Sequence, residues 1–291
     1  MSNEQILEPV KRLTRDIAKA SVTLTDSEAR FLVDSYYAMQ ENRKRSSMQM
    51  AALEKAGEPN AVMAWLSEQD ETIESQIKRA LDKYTDQKYI GRWMKSITGI
   101  GPVIAAGMMA HINIRKCECV PYKGMKEKPV HDCYGISTAG HIYRYAGLEP
   151  TVVWEKGKLR PWNAALKTLC WKVGQSFMKF SNKPECFYGQ IYRQKKDYYI
   201  KKNEAGDYRE EALSRKDKVG KNTEAYKHLS EGKLPPGQID ARARRYAVKI
   251  FLSHLHEIWY RHEFGVEPPK PYAISILGHG DYIAPPNMDV K

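Results

Sequence analysis

Two long stretches of helical periodicity, separated by a three-residue break, constrain this chain more than any other feature. Thr25-Asp26-Ser27-Glu28 sets a capping hydroxyl three positions before an acid, the pattern that opens a helix. Apolar residues then recur at three- and four-residue steps through Phe31, Tyr36, Met39 and Met48 to Gly57-Glu58-Pro59. Pro59 and Asn60 open a second stretch through Met63, Leu66, Ile73, Ile77, Leu81 and Tyr84 to about Ser96. So short a connection forces the two helices to pack antiparallel. A shorter helix is expected before them, marked by Ile6, Leu7, Val10, Leu13 and Ile17. The heptad is irregular, so the hairpin reads either as part of a bundle or as a dimerising coiled coil, and a homo-oligomer formed through the N-terminal helices is the expected assembly.

The next segment is Ser96-Ile97-Thr98-Gly99-Ile100-Gly101-Pro102-Val103-Ile104-Ala105-Ala106. A helix ends on an apolar residue, a Gly-x-Gly turn follows, and Pro102 opens a second helix at a position where its missing N–H costs nothing. This is the pattern of a helix-hairpin-helix. Backbone N–H groups at the new helix start can hold a phosphate oxygen without reading bases, which marks Thr98, Gly99, Ile100 and Gly101 as candidate DNA contacts. The alternative is an ordinary helical turn with a glycine cap.

Beyond it the spacing predicts a short helix over 137–148, an amphipathic helix over 162–180, another from Pro184 through Tyr198, and a long one over 238–264 that opens with Arg242, Arg244 and Arg245. No strand pattern interrupts this order. The expected fold is therefore all-α: a long antiparallel helical hairpin over 1–96, then a helix-hairpin-helix-containing domain over 97–265, then a proline-rich extended tail over 266–291. Two insertions break the second domain, at 115–136 and at 201–237. The latter is charged and nearly free of aliphatic residues, so it reads as a loop or a weakly ordered insertion.

Charge divides the chain in the same place. Residues 1–100 hold 15 Lys+Arg and 15 Asp+Glu; 47 − 15 leaves 32 basic and 35 − 15 leaves 20 acidic residues beyond them, so the whole net charge of +12 lies in the last two thirds. A basic module beside a neutral one suits binding to a polyanion, although a merely solvated basic surface has the same composition. Glu4 and Glu8 stand where a leader would be basic and then apolar, and no window is apolar enough to span a membrane. Five cysteines without a disulfide spacing fit a reducing, cytoplasmic location.

Three motifs then follow in order: Ile97 to Pro102 with Ala105-Ala106, Tyr145-Ala146-Gly147-Leu148-Glu149-Pro150, and Asn163-Ala164-Ala165-Leu166-Lys167. In sequence and spacing they resemble the transposases of the insertion-sequence-110 family, whose members join a RuvC-like nuclease domain to a coiled coil and a C-terminal transposase domain. The resemblance runs from about Ser27 to Trp259 and implies DNA binding, DNA recombination and a bacterial or phage mobile element. It also raises RNA as a partner, because that family works with a guiding RNA. Two departures count against catalysis. The helical hairpin starts almost at the N-terminus and leaves no room for the nuclease domain, and Thr151-Val152-Val153-Trp154-Glu155-Lys156-Gly157 lacks the serine that the family carries after the second motif. Thr151 is the single hydroxyl there, a weak candidate nucleophile. The expected activity is backbone binding without strand transfer; the alternative is an active transposase or recombinase.

The candidate DNA contacts from the basic segment are Arg144, Lys156, Lys158, Arg160, Asn163, Lys167, Arg242, Arg244 and Arg245. Cys117, Cys119, His131 and Cys133 form two close pairs around a basic loop, a set that can hold a structural Zn2+ or leave three free thiols. His254, His256 and His262 do not share a helix face and are expected to serve core and surface instead. The tyrosine- and lysine-rich run over 187–202 suits either a nucleic-acid groove or a helix with a tyrosine core face and a solvated lysine face.

Overall fold

The computed structural model describes residues 15–58, 61–114, 138–269 and 282–290. Cys117, Cys119, His131 and Cys133, and the turn residues Pro59 and Asn60, lie outside the described residues. Among those described the fold is all-α, as the periodicity requires. The described residues divide into two compact units, one of 15–58, 61–95, 101–113 and 290, the other of 96–100, 114, 138–269 and 282–289. The helix after the Gly-x-Gly turn thus belongs with the N-terminal unit and not with the residues that follow it.

The first unit holds α1 (Arg15–Ala20), α2 (Asp26–Ala56), α3 (Ala61–Asp86), α4 (Tyr89–Ser96) and α5 (Pro102–His111). The capping box forms as the sequence predicts: the Thr25 hydroxyl accepts from the Glu28 N–H, and the Glu28 carboxylate accepts from the Thr25 N–H at 2.8 Å. At the other end Gly57, with φ 72°, caps α2 in the left-handed conformation. Polar pairs cross the seam in opposite order along the two helices, Asp26 with Tyr84, Arg43 with Glu74 and Ser46 with Asp70, so α2 and α3 run antiparallel. α5 packs on both. It is buried nearly all round, through Val103, Ala105, Ala106, Met108 and Met109.

The second long helix is shorter than its periodicity suggested. It stops at Asp86, and α4 starts anew at Tyr89. The reason lies at Gly91, where a Cβ would stand 2.1 Å from the Thr85 carbonyl oxygen, so the chain folds back on the end of α3 at a distance only glycine allows. Arg92 donates to the Asp86 carbonyl at 2.7 Å, and Lys95 bridges the Asp82 and Asp86 carboxylates. These cations occupy the exposed carbonyls and the negative end of α3.

The second unit is organised on α11 (Pro236–Phe264), against which α6 (Ala139–Tyr145), α7 (Ala164–Lys179) and α8 (Phe187–Glu204) pack. Phe177 stacks on Tyr188 at 4.9 Å between centroids, and both meet the Phe251 ring edge-on. Each ring is fully buried and contributes roughly 1.5–3 kcal/mol by its removal from water. The Tyr188 hydroxyl donates to His254 Nδ1, whose Nε2–H donates to the Ile283 carbonyl, both at 2.8 Å. The carbonyl accepts only, which sets the tautomer.

The segment over 201–237 corrects the expectation of a loop. α8 runs on to Glu204, and α9 (Arg209–Lys216) and α10 (Glu224–Ser230) follow. Ala212, Leu229, Leu234 and Ile239 form a small separate core, covered by Tyr199, Tyr208 and Val219. Each short element contributes only one or two apolar side chains, so no periodicity long enough to register appears in the sequence. Asn203 closes the cluster by donating to the Leu234 carbonyl and accepting from its N–H.

Candidate nucleic-acid interface

The Gly-x-Gly turn is anchored more deeply than a phosphate nest needs to be. Ile97 and Ile100 are buried, and the Ile100 N–H donates to the Ile97 carbonyl at 2.9 Å. Gly99 has φ 100°, and a Cβ there would meet Ser176, Phe177 and Phe180 of the α7 end at 3.2–3.5 Å. Its carbonyl accepts from the Ser176 hydroxyl, and the Thr98 carbonyl accepts from the Cys186 thiol at 3.4 Å. Gly101 differs: it is exposed, has ordinary extended backbone at φ −93°, and has open space where a Cβ would lie. Of the four hairpin candidates, only Gly101 presents a free surface at the start of α5.

The second motif acts through packing. Gly147 ends α6 with φ 63°, letting the Leu148 N–H reach the Tyr143 carbonyl at 2.8 Å. A Cβ at Gly147 would stand 2.7 Å from the Trp162 ring. That ring carries the Lys167 ammonium 3.9 Å above its centre. Asn163, a predicted DNA contact, is the cap of α7: its carbonyl oxygen accepts from the Leu166 N–H and its amide donates to the Tyr145 hydroxyl, both at 2.9 Å. Between the motifs Lys156, Lys158 and Arg160 lie on an exposed stretch, with Lys158 paired to Glu155 and Arg160 over the Trp154 ring. Arg144 is exposed on α6. Thr151 is exposed, and its hydroxyl donates to the Glu149 carboxylate at 2.8 Å.

Three of the predicted contacts meet at one place. Lys167 of α7 and Arg244 and Arg245 of α11 line a cleft of about 190 Å³ whose apolar walls are Leu148, Cys170, Trp171, Gly174, Ala241 and Val248. Gly174 makes it possible, since a Cβ there would stand 3.2 Å from Val248 and 3.4 Å from Arg244, so the two helices cross closely. Trp171, one turn after Lys167, is 59% exposed.

The cations of this cleft differ in their partners. Arg244 Nε lies 2.8 Å from Asp240, an ion pair whose N–H is not aimed along a good hydrogen bond, and Arg242 pairs with Glu211. Asp240 is held further by Tyr192 and Lys196; burial pushes its carboxyl up, but these hydrogen bonds outweigh it and bring the pKa below the ordinary value. Among the described residues no ion pair reaches Lys167, Arg245 or Arg160. Loss of solvent pushes the Lys167 ammonium down, and the like charges of Arg160 and Arg245 push it further. Arg245 is lowered in the same way, by loss of solvent and then by Arg242, Arg244 and Arg215. Lys249, one turn on, is lowered by burial and by Arg245.

Sequence reasoning missed Trp171 and Lys249. Trp171 left a signal, a large aromatic residue on the polar face of the 162–180 periodicity; Lys249 left none. Of the tyrosine- and lysine-rich run, Tyr188 and Tyr192 are core residues, while Lys195 lies over the Tyr198 and Tyr246 rings at 4.4 and 4.5 Å. His254 and His256 are buried and His262 is exposed. Among the described residues no group of three or more His, Cys, Asp or Glu is placed to hold a metal ion, and no helix is long and apolar enough to cross a membrane. No protein-family model, curated protein or solved structure matches this chain.

Proposed function

We propose that this protein binds DNA through the phosphate backbone, using the cationic face that Lys167, Arg245 and Arg160 form on the second unit. The single observation that carries the reading is that these cations crowd one another without a carboxylate. Holding like charges together in a partly dry cleft costs stability, and an anion placed among them recovers it. The resemblance of the three sequence motifs to transposases of the insertion-sequence-110 family supports DNA as the polyanion. Phosphates are the same at every step of a duplex, so binding of this kind carries little sequence preference.

The test is the salt dependence of binding to a mixed-sequence duplex. Each phosphate contact adds about −0.9 to the slope of log affinity against log salt. Replacing both Lys167 and Arg245 by Gln is expected to flatten the slope by about two such contacts and to weaken binding at low salt. Affinity that does not change with salt, or a double variant that binds as its parent does, refutes the reading.

A second reading has one observation in its favour. The Thr151 hydroxyl donates to Glu149, the contact by which a base activates a nucleophile. An active recombinase would then form a covalent adduct with a suicide DNA substrate, and the adduct would vanish in Thr151→Ala. Binding without strand transfer is the reading we adopt, because no serine stands between 151 and 157. We also propose that the first unit self-associates, since Phe31, Met48, Val62 and Leu66 of the hairpin are exposed apolar side chains. Light scattering that shows a monomer at high micromolar concentration rules this out.

A further inference from the structure

Resting on the DNA-binding reading, we infer that the cleft between α7 and α11 receives one unpaired base of a distorted DNA, stacked on Trp171, while Lys167 and Arg245 hold the phosphates on either side. Three independent features lead there. The lining of the cleft joins apolar side chains, Leu148, Cys170 and Val248, to the cations Lys167, Arg244 and Arg245, which matches a nucleotide: a planar apolar face joined to an anion. Its volume of about 190 Å³ lies below the ~300–1,000 Å³ of pockets that enclose a whole drug-sized ligand, so it is scaled to a single ring system. Trp171 shares a helix face with Lys167 four residues away, and at 59% exposure this indole is among the most exposed large apolar side chains of the second unit.

Duplex bases are already stacked and cannot use an indole without being turned out, whereas a bulged or branched DNA offers one at little cost. The site therefore selects structure rather than sequence. Every base has a face to stack, so the preference extends to all four.

The experiment compares three DNA molecules by fluorescence anisotropy: a perfect duplex, the same duplex with one bulged nucleotide, which adds a single phosphate, and the same bulge made abasic, which matches the second in length and charge. The bulged duplex is expected to bind about tenfold more tightly than the perfect one, within the range for one base stacked on an aromatic ring. The abasic bulge is expected to lose that advantage. Trp171→Ala removes a ring that is 59% exposed and is expected to bring bulged and perfect duplexes to the same affinity, while the cations that hold the backbone of both stay in place. Ala241→Phe, which fills the cleft, does the same by obstruction. Equal binding of bulged and perfect duplex overturns the inference and leaves backbone binding intact. Equal binding of normal and abasic bulges, or an unchanged preference in both variants, overturns it too, because the preference then comes from DNA flexibility. Failure to bind any of the three overturns backbone binding and this inference together.

Discussion

The seam of the N-terminal hairpin and the crossing of α7 with α11 both bring charged side chains close together, and they treat them in opposite ways. Along α2 and α3, and where α4 folds back on the end of α3, the charges are matched: Arg43 meets Glu74 at 2.6 Å, and Lys95 of α4 meets both Asp82 and Asp86. Burial raises the Glu74 carboxyl, but hydrogen bonds from Arg43, Tyr36 and Gln40 outweigh it and hold the pKa below the usual carboxylate range. At the α7 and α11 crossing, loss of solvent lowers both Lys167 and Arg245, and like charges lower them further, Arg160 and Arg245 acting on Lys167, and Arg242, Arg244 and Arg215 on Arg245. Matched charges fix the register of two helices. Unmatched ones are an unfinished interaction, which a ligand of opposite sign completes. Net charge does not reveal this distinction; the local pairing does.

The largest effect is expected at Gly147, which separates a cleft built by packing from one built by charge. Gly147→Val forces a β-branched residue to φ 63° and drives its Cβ into Trp162, the ring beneath Lys167. A loss of about 3 kcal/mol or more in urea unfolding is expected, together with weakened DNA binding at low denaturant. A variant as stable as its parent would mean that the glycine does not position the cleft.

Acid should act on the buried groups in two steps. Burial holds His254 down at about 4, against an ordinary 6.5. Its folded pKa is depressed, so its contribution is fully present above 6.5 and is lost as pH falls from there to about 4, roughly 3 kcal/mol in all. Glu74 is also depressed, from 4.5, so its contribution is present above 4.5 and lost below that. Stability followed by urea unfolding from pH 7.5 to 3.5 should therefore decline in two windows: first that of the histidines, His254 together with His111 of α5, which burial and then Arg30 also depress, and after it that of Glu74. If His254→Asn leaves the decline above pH 4.5 unchanged, the first window belongs to another group.

Glu74→Ala leaves the Arg43 guanidinium without its carboxylate, and a cost of about 1–3 kcal/mol is expected from thermal unfolding. The smallest effect, and the one that bears most directly on the comparison, is Arg245→Gln. Removing a charge that repels its neighbours should leave stability within about 0.5 kcal/mol of the parent or raise it slightly, most visibly at low salt. A loss as large as that of Glu74→Ala would show Arg245 to be paired after all.

The helices were legible where their periodicity was long and their ends were marked. Thr25 with Glu28 and Gly57 delimit α2 at both ends, and Leu166, Cys170, Val173 and Phe177 turn the buried face of α7. α9 and α10 were not legible, because the core they share draws single residues from separate short segments. The break before α4 was hidden too, since it depends on how near the Thr85 carbonyl comes to Gly91. Of the candidate site, the residue types and segments were readable. Asn163 proved to be a helix cap, and Arg242 and Arg244 have acidic partners 31 residues before and four residues before them in the chain, of which only the latter is near in sequence.

The sequence by itself determined that this chain is helical, where the N-terminal hairpin begins, and that its basic excess lies beyond residue 100. Those are local properties: hydrophobic period, capping chemistry and charge composition are written in neighbouring residues. Only the tertiary structure decided which cations stay unpaired, because that depends on side chains brought together from α7 and α11 across some 75 residues of intervening chain. It also decided that Gly99 serves the core while Gly101 faces outward, a difference between two identical residues that lies entirely in what packs against each.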